Sequence, residues 1–240
     1  MSSDNLLSDM EVFNGTKKNL LDKKNNIWLG VSISLKPYSE KLAKEYLKLI
    51  SKYTKEKALV FIADEISSVN YNVLEKYSPE TSVKKALEKG DTFIDNYKKF
   101  IKTLPKNVQS KIVLVRWKDV WNDKYNLMYN ILKKEFETNK EFRKEVEAPI
   151  RMYLKNSGRT IEGSRIAKLS EYILKELPSL LDGVEYDGQI YKTFVYPTYG
   201  KTSLSLLSTQ IQRGERFPEL KKKLKIKGDN ILIDFPIPKS

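Results

Sequence analysis

Two short runs of unbroken apolar residues, 57–64 (KALVFIAD) and 112–117 (IVLVRW), constrain the fold more than any other feature of this chain. Neither run alternates with polar residues. A strand built from either one hides both faces, as central strands of a parallel sheet do when helices cover them on each side. Further strands are predicted over 27–34 (IWLGVSIS), 189–196 and 230–235. Helix-forming sequence fills the intervals. Ser39 caps a helix with Leu42, Tyr46, Leu49, Ile50 and Tyr53 on one face. A basic helix covers 82–103, and 118–156 is almost continuously helical. A helix over 163–177 stops before Pro178, because proline lacks the N–H the next turn needs. Another helix spans about 203–223. Strands alternating with helices assemble into an α/β fold with a doubly wound, mostly parallel sheet. Residues 1–25 read as a short helix or loose arm. Nothing divides the rest, so the expectation is one domain over 1–240.

The residues that are missing restrict the chemistry. The chain has no Cys and no His. Thiolate or imidazole zinc sites, Cys nucleophiles, Ser-His-Asp triads and His general bases are thereby excluded. Proton transfer falls to Glu, Asp, Tyr, Lys, substrate groups or water, and a carboxylate-only magnesium site stays open. Neither phosphate-binding glycine motif occurs. No cofactor is expected. Lys and Arg number 44 against 31 Asp and Glu, a formal charge of +13. That balance favours an anionic partner, nucleic acid before membrane surface, with a merely Lys-rich exterior as the alternative. No apolar run approaches the roughly 18 residues of a membrane span, and the N-terminus has no secretory pattern. A cytoplasmic protein is expected.

In such sheets ligands gather beyond the carboxyl ends of strands, near a switch in strand order. Ser32, Asp64, Trp117 and Tyr196 stand near such ends. Alternation puts Trp28, Gly30 and Ser32 on one face of the first strand, a pocket floor ending in a hydroxyl, with Gly30 leaving room. A strand that simply ends in serine is the competing reading. Tyr172 and Glu176, four apart on one helix, share a face and together suit an ammonium group. The alternative is an interfacial aromatic beside a solvated carboxylate. Tyr196-Pro197 closes a late strand, since Pro197 stops the ladder. Lys84, Lys85 and Lys89, then Lys98, Lys99 and Lys102, flank an apolar stripe of Phe93, Ile94, Tyr97, Phe100 and Ile101. This is either a phosphate-binding face or a solvated amphipathic helix.

Taken in order, Gly30-Val-Ser32, Tyr172-Ile-Leu-Lys-Glu176-Leu-Pro178 and Tyr196-Pro197 resemble the signature of the cyclodipeptide synthases. The stretch from Tyr125 to Phe142 is also similar to that family. The resemblance runs from about residue 27 to 197. It implies a Rossmann-like fold similar to the catalytic domain of class I aminoacyl-tRNA synthetases, without their use of ATP, in a monomer. It further implies that two aminoacyl-tRNAs are joined into a cyclic dipeptide through aminoacyl- and dipeptidyl-enzymes on Ser32. Gly30 would shape the floor, Tyr172 and Glu176 would hold the α-ammonium, and Tyr196 would relay protons, with Tyr125 a further active-site tyrosine. Trp28, Leu35, Asp64 and Pro197 are the candidate substrate contacts. Trp28 would narrow the first pocket towards small side chains. Lys84, Lys85, Lys98, Lys99 and Lys102 are the candidate tRNA contacts. One branch of the family has Asn three residues after the Ser and His after the late Tyr. Leu35 and Pro197 stand there, so this chain resembles the other branch. The alternative is a tRNA- or RNA-binding protein on a synthetase-like fold with no catalysis.

Overall fold

A computed structural model describes residues 7, 10–33, 39–198 and 203–236. The strands are β1 (Glu11–Asn14), β2 (Asn26–Ser32), β3 (Ala58–Ala63), β4 (Ile112–Arg116), β5 (Val184–Tyr186), β6 (Gln189–Thr198) and β7 (Ile231–Pro236). Their order in the sheet is β1-β7-β6-β2-β3-β4, with β5 paired to β6. The pairs β2–β3, β3–β4, β2–β6 and β6–β7 are parallel, and β1–β7 and β5–β6 are antiparallel. The chain therefore leaves β2 towards β3 and β4, then returns to lay β6 against the other side of β2. The switch in strand order lies between β2 and β6, and beyond the carboxyl ends of these two strands is where ligands gather in such sheets.

The run at β3 becomes a central strand because both of its faces find cover, whereas β4, expected to be buried like it, is the edge strand of the sheet and only Val115 in it is fully buried. Ile27, Leu29 and Val31 pack into one core layer with Ala58, Val60 and Ile62. Trp28, Leu59, Phe61 and Ala63 point into a second layer on the opposite face. The first layer is covered by α2 (Glu40–Tyr53) and α4 (Pro79–Lys102), and Ser39 accepts a hydrogen bond from Leu42 N at 3.3 Å to cap α2. On the second side lies α9 (Gly163–Asp182), whose buried Leu177 and Leu180 share core layers with Met128 and Tyr125 of α7 (Asp123–Thr138). Each buried leucine contributes roughly 1.5–3 kcal/mol by leaving water. The remaining helices are α1 (Lys17–Leu21), α3 (Ser68–Leu74), α5 (Lys106–Gln109), α6 (Trp117–Val120), α8 (Lys140–Asn156), α10 (Ser203–Arg213) and α11 (Pro218–Leu224).

The structure departs from the sequence expectation in several places. Within the first 25 residues the short helix expected there is Lys17–Leu21, but a strand not expected, β1, joins the sheet edge beside β7. The helical stretch 118–156 breaks at Asn122 and Asn139, whose side chains cap α7 and α8. The helix around 203–223 is two, with a turn between Arg213 and Pro218. Pro178 does not end α9, which continues to Asp182 and stops at Gly183 with φ 83°. The proline frees the Leu174 carbonyl. Burial of Leu180 and Leu181 outweighs that loss, and hydroxyls bond to the neighbouring carbonyls. Ser179 Oγ donates to Glu176 O at 2.7 Å, and Tyr125 Oη to Lys175 O at 2.8 Å. Pro197 does not end β6 either. Pairing with β2 stops at Val195, but pairing with β7 continues through Pro197 and Thr198. The missing N–H falls where β2 no longer needs it.

Candidate active site

Ser32 is the last residue of β2, in register with Ala63 of β3. The hydroxyl of Tyr172, from the middle of α9, is hydrogen-bonded to the Ser32 side chain. One turn further along α9, Glu176 faces the same space. Burial pushes its carboxyl group up to about 7 from the usual 4.5. Tyr196, near the end of β6, lies close enough to Tyr172 and Glu176 for their charges to act on its phenol. The phenols of Tyr172, Tyr196 and Tyr125 all lie well above the usual range. Burial is the main cause in each, and the nearby Glu176 carboxylate adds to it. All three therefore stay neutral hydroxyl donors at physiological pH. The fold brings Ser32, Tyr172, Glu176 and Tyr196 together near the switch in strand order, while Tyr125 approaches Glu176 from beside Trp117, at the end of β4.

Two buried residues of this cluster are not among the candidates read from the sequence. Asp234 of β7 pairs in register with Tyr196 and accepts a hydrogen bond from Ser205 Oγ at 3.1 Å. Its charge also holds the Tyr196 phenol up. The available signal is a lone carboxylate inside an apolar strand, ILIDFP. Phe194 of β6 is the other. A Cβ placed on Gly30 would stand 2.6 and 3.0 Å from its ring and 3.3 Å from Tyr196. The space beside Gly30, expected to receive a substrate, is thus occupied by protein.

The other candidates lie elsewhere. Trp28 is buried beneath the site, stacked on Phe194 at 4.0 Å and edge-on to Phe61 at 5.5 Å, so it supports the floor without lining it. Asp64 ties the ends of β3 and β4 together and is fully buried, so it is not a substrate contact. Its carboxylate accepts from Glu65 N at 2.8 Å and lies 2.8 Å from Arg116 Nε, while Gly90 lets α4 pack against it. Arg116 also reaches Asp91 at 2.7 Å. Pro197 is buried against β7, beside the cluster. Leu35 lies outside the described residues. Lys84, Lys98, Lys99 and Lys102 are exposed on α4, and Lys85 is half-buried over the Tyr77 ring. Their helix packs through Phe93 and Tyr97 into the core layer across the sheet from Trp28. A cleft of about 410 Å³ opens at the carboxyl ends of β3 and β4, lined by Glu65, Ile66, Trp117, Trp121 and Lys175 among others.

No protein-family model and no curated protein sequence matches the chain. Solved structures do. A cyclodipeptide synthase from Bacillus thermoamylovorans is 19% identical with a TM-score of 0.73, over 98% of this chain and 100% of its own. The chain shares the cyclodipeptide synthase fold. A Mycobacterium tuberculosis protein, described as showing that these enzymes are related to type I tRNA synthetases, is 14% identical with a TM-score of 0.64, over 82% and 83%. A cyclodipeptide synthase from Candidatus Glomeribacter gigasporarum bound to Phe-tRNAPhe is 16% identical with a TM-score of 0.53, over 89% and 88%. Among the described residues, no helix is long and apolar enough to cross a membrane.

Proposed function

We propose that this chain is a cyclodipeptide synthase, acting as a monomeric catalytic unit on two aminoacyl-tRNAs in the cytoplasm. The observation that supports it best is the hydrogen bond between Ser32 and Tyr172 at the switch in strand order, with Glu176 and Tyr196 around it. Ser32 Oγ attacks the ester of the first aminoacyl-tRNA. The new bond is an ester on Ser32, and the serine proton ends on the departing ribose oxygen. The substrate ester is already activated, so ATP has no role.

Glu176 holds the α-ammonium of the bound residue by a charge-assisted hydrogen bond. That group must lose a proton before it reacts. An α-amino group titrates at about 7.7–8.0, and the Glu176 carboxyl at about 7. Burial makes this carboxylate a better proton acceptor than an ordinary one, which suits general base catalysis. The freed amine attacks the ester of the second aminoacyl-tRNA, and the second tRNA leaves with the proton. In this direction the dipeptide stays on Ser32. Glu176 gives its proton to solvent and takes one from the terminal ammonium of the dipeptide; the resulting amine attacks the Ser32 ester, closing the ring and returning its remaining proton to Ser32. That step is intramolecular, so positioning supplies much of its rate. The neutral Tyr172 and Tyr196 hydroxyls pass protons between these groups. The exposed lysines of α4 attract the tRNA acceptor arm.

The test is covalent capture. Aminoacyl-tRNA with a labelled amino acid is mixed with the protein and quenched in acid. Alkali-labile label on the peptide containing Ser32 is expected. Ser32→Ala should lose both the label and the cyclic dipeptide at a nearly unchanged Tm. Cyclic dipeptide made by Ser32→Ala at the wild-type rate would disprove the mechanism.

A further inference from the structure

We propose that the acyl group carried by Ser32 has a small side chain, of the glycine, alanine or serine class, because aromatic rings already fill the volume beneath the nucleophile. This rests on the reading of Ser32 as the acyl carrier. An acyl group on Ser32 whose ammonium reaches Glu176 has its Cα between β2 and α9. A side chain directed at the sheet from there arrives over Gly30, the next residue on that face, about 7 Å along the strand.

A glycine in that place ordinarily opens a pocket. Here the Phe194 ring closes it, at 2.6 and 3.0 Å from where a Cβ would stand. Behind Phe194 the packing continues without relief. Tyr196 stacks on it at 5.6 Å and Trp28 at 4.0 Å. Phe61 meets Trp28 edge-on at 5.5 Å and stacks on Trp117 at 4.8 Å. Trp28, Phe61, Phe194 and Trp117 are all buried. Packed interiors yield to extra atoms only by shifting neighbours. A leucine or phenylalanine side chain must therefore displace a ring, whereas a hydrogen, methyl or hydroxymethyl group need not. The restriction comes mainly from Phe194, with Trp28 holding that ring in place.

The experiment is the acid-quenched labelling of Ser32, run in parallel with tRNAs carrying labelled glycine, alanine, serine, leucine, phenylalanine and tyrosine. At least one small residue should label the wild-type protein roughly tenfold faster, or more, than any of the three large ones. Phe194→Ala should raise labelling by leucine relative to alanine by a similar factor. Phe194→Leu keeps an apolar side chain and serves where the alanine variant does not fold. Wild-type labelling by leucine, phenylalanine or tyrosine as fast as by the small residues overturns the proposal, as does an unchanged preference in a folded Phe194 variant. Absence of label with every aminoacyl-tRNA removes the acyl-Ser32 reading itself, and the side-chain preference with it.

Discussion

Replacing Glu176 by glutamine should make the free protein more stable and the enzyme far less active. The folded protein holds this carboxyl group at about 7 against an ordinary value of 4.5. The protonated form is thus favoured by folding. Its contribution is fully present below about pH 4.5, declines as pH rises, and becomes a full cost above about pH 7. The difference between 7 and 4.5 corresponds to roughly 3 kcal/mol, at about 1.36 kcal/mol per pH unit. Residual exposure of the side chain makes this an upper bound. Glutamine keeps the shape and never ionises. Its Tm advantage should be near zero at pH 4.5 and reach several degrees at pH 8, at about 2–4 °C per kcal/mol for a chain of this size. Loss of one charge-assisted bond to the substrate ammonium should lower kcat/KM by about 30- to 150-fold, roughly 2–3 kcal/mol. The assays are thermal unfolding from pH 4.5 to 8 and initial rates of cyclic dipeptide formation. A variant no more stable than wild type at pH 8, or one with undiminished turnover, refutes the reasoning.

Two further substitutions test other links. Reversing Lys98, Lys99 and Lys102 to glutamate should raise the KM for aminoacyl-tRNA and flatten its dependence on salt, by roughly 0.7–0.9 in log–log slope for each phosphate no longer neutralised. Identical salt profiles in steady-state assays would remove α4 from the tRNA-binding surface. Gly30→Ala should lower Tm, at a cost of roughly 1–3 kcal/mol, because the added methyl group overlaps the Phe194 ring. An unchanged Tm would mean that this ring moves freely.

Central strands are legible in the sequence because their signal is local. The unbroken apolar run of β3 is buried on both faces; that of β4 forms a strand where expected, but at the sheet edge and largely half-buried, because it has a strand on one side only. Alternation along β2 likewise puts Trp28, Gly30 and Ser32 on one face, and helical spacing puts Tyr172 beside Glu176. Short edge strands carry weaker patterns, and neither β1 nor β5 stands out from its surroundings. Pro178 points the wrong way for a related reason. Its local cost is real, but leucines buried beyond it and hydroxyls from Tyr125 and Ser179 carry the helix four residues further.

Which side chains are available for chemistry is settled before folding: a serine, tyrosines and carboxylates, with neither histidine nor cysteine. So are the periodicities that give each element its buried face. What each of those groups meets depends on the assembled fold. Asp64 stands at a strand end as a binding residue might, yet Arg116 and Gly90 enclose it. Gly30 has no side chain, yet the space above it belongs to Phe194, which comes far later in the chain and reaches it only through the pairing of β2 with β6. Helical spacing leaves Glu176 either an ammonium-binding group or a solvated carboxylate, until α9 settles against the sheet and burial raises its carboxyl group to about 7. Burial, register and long-range contact are properties of pairs of distant segments, so they arise only when the sheet is assembled.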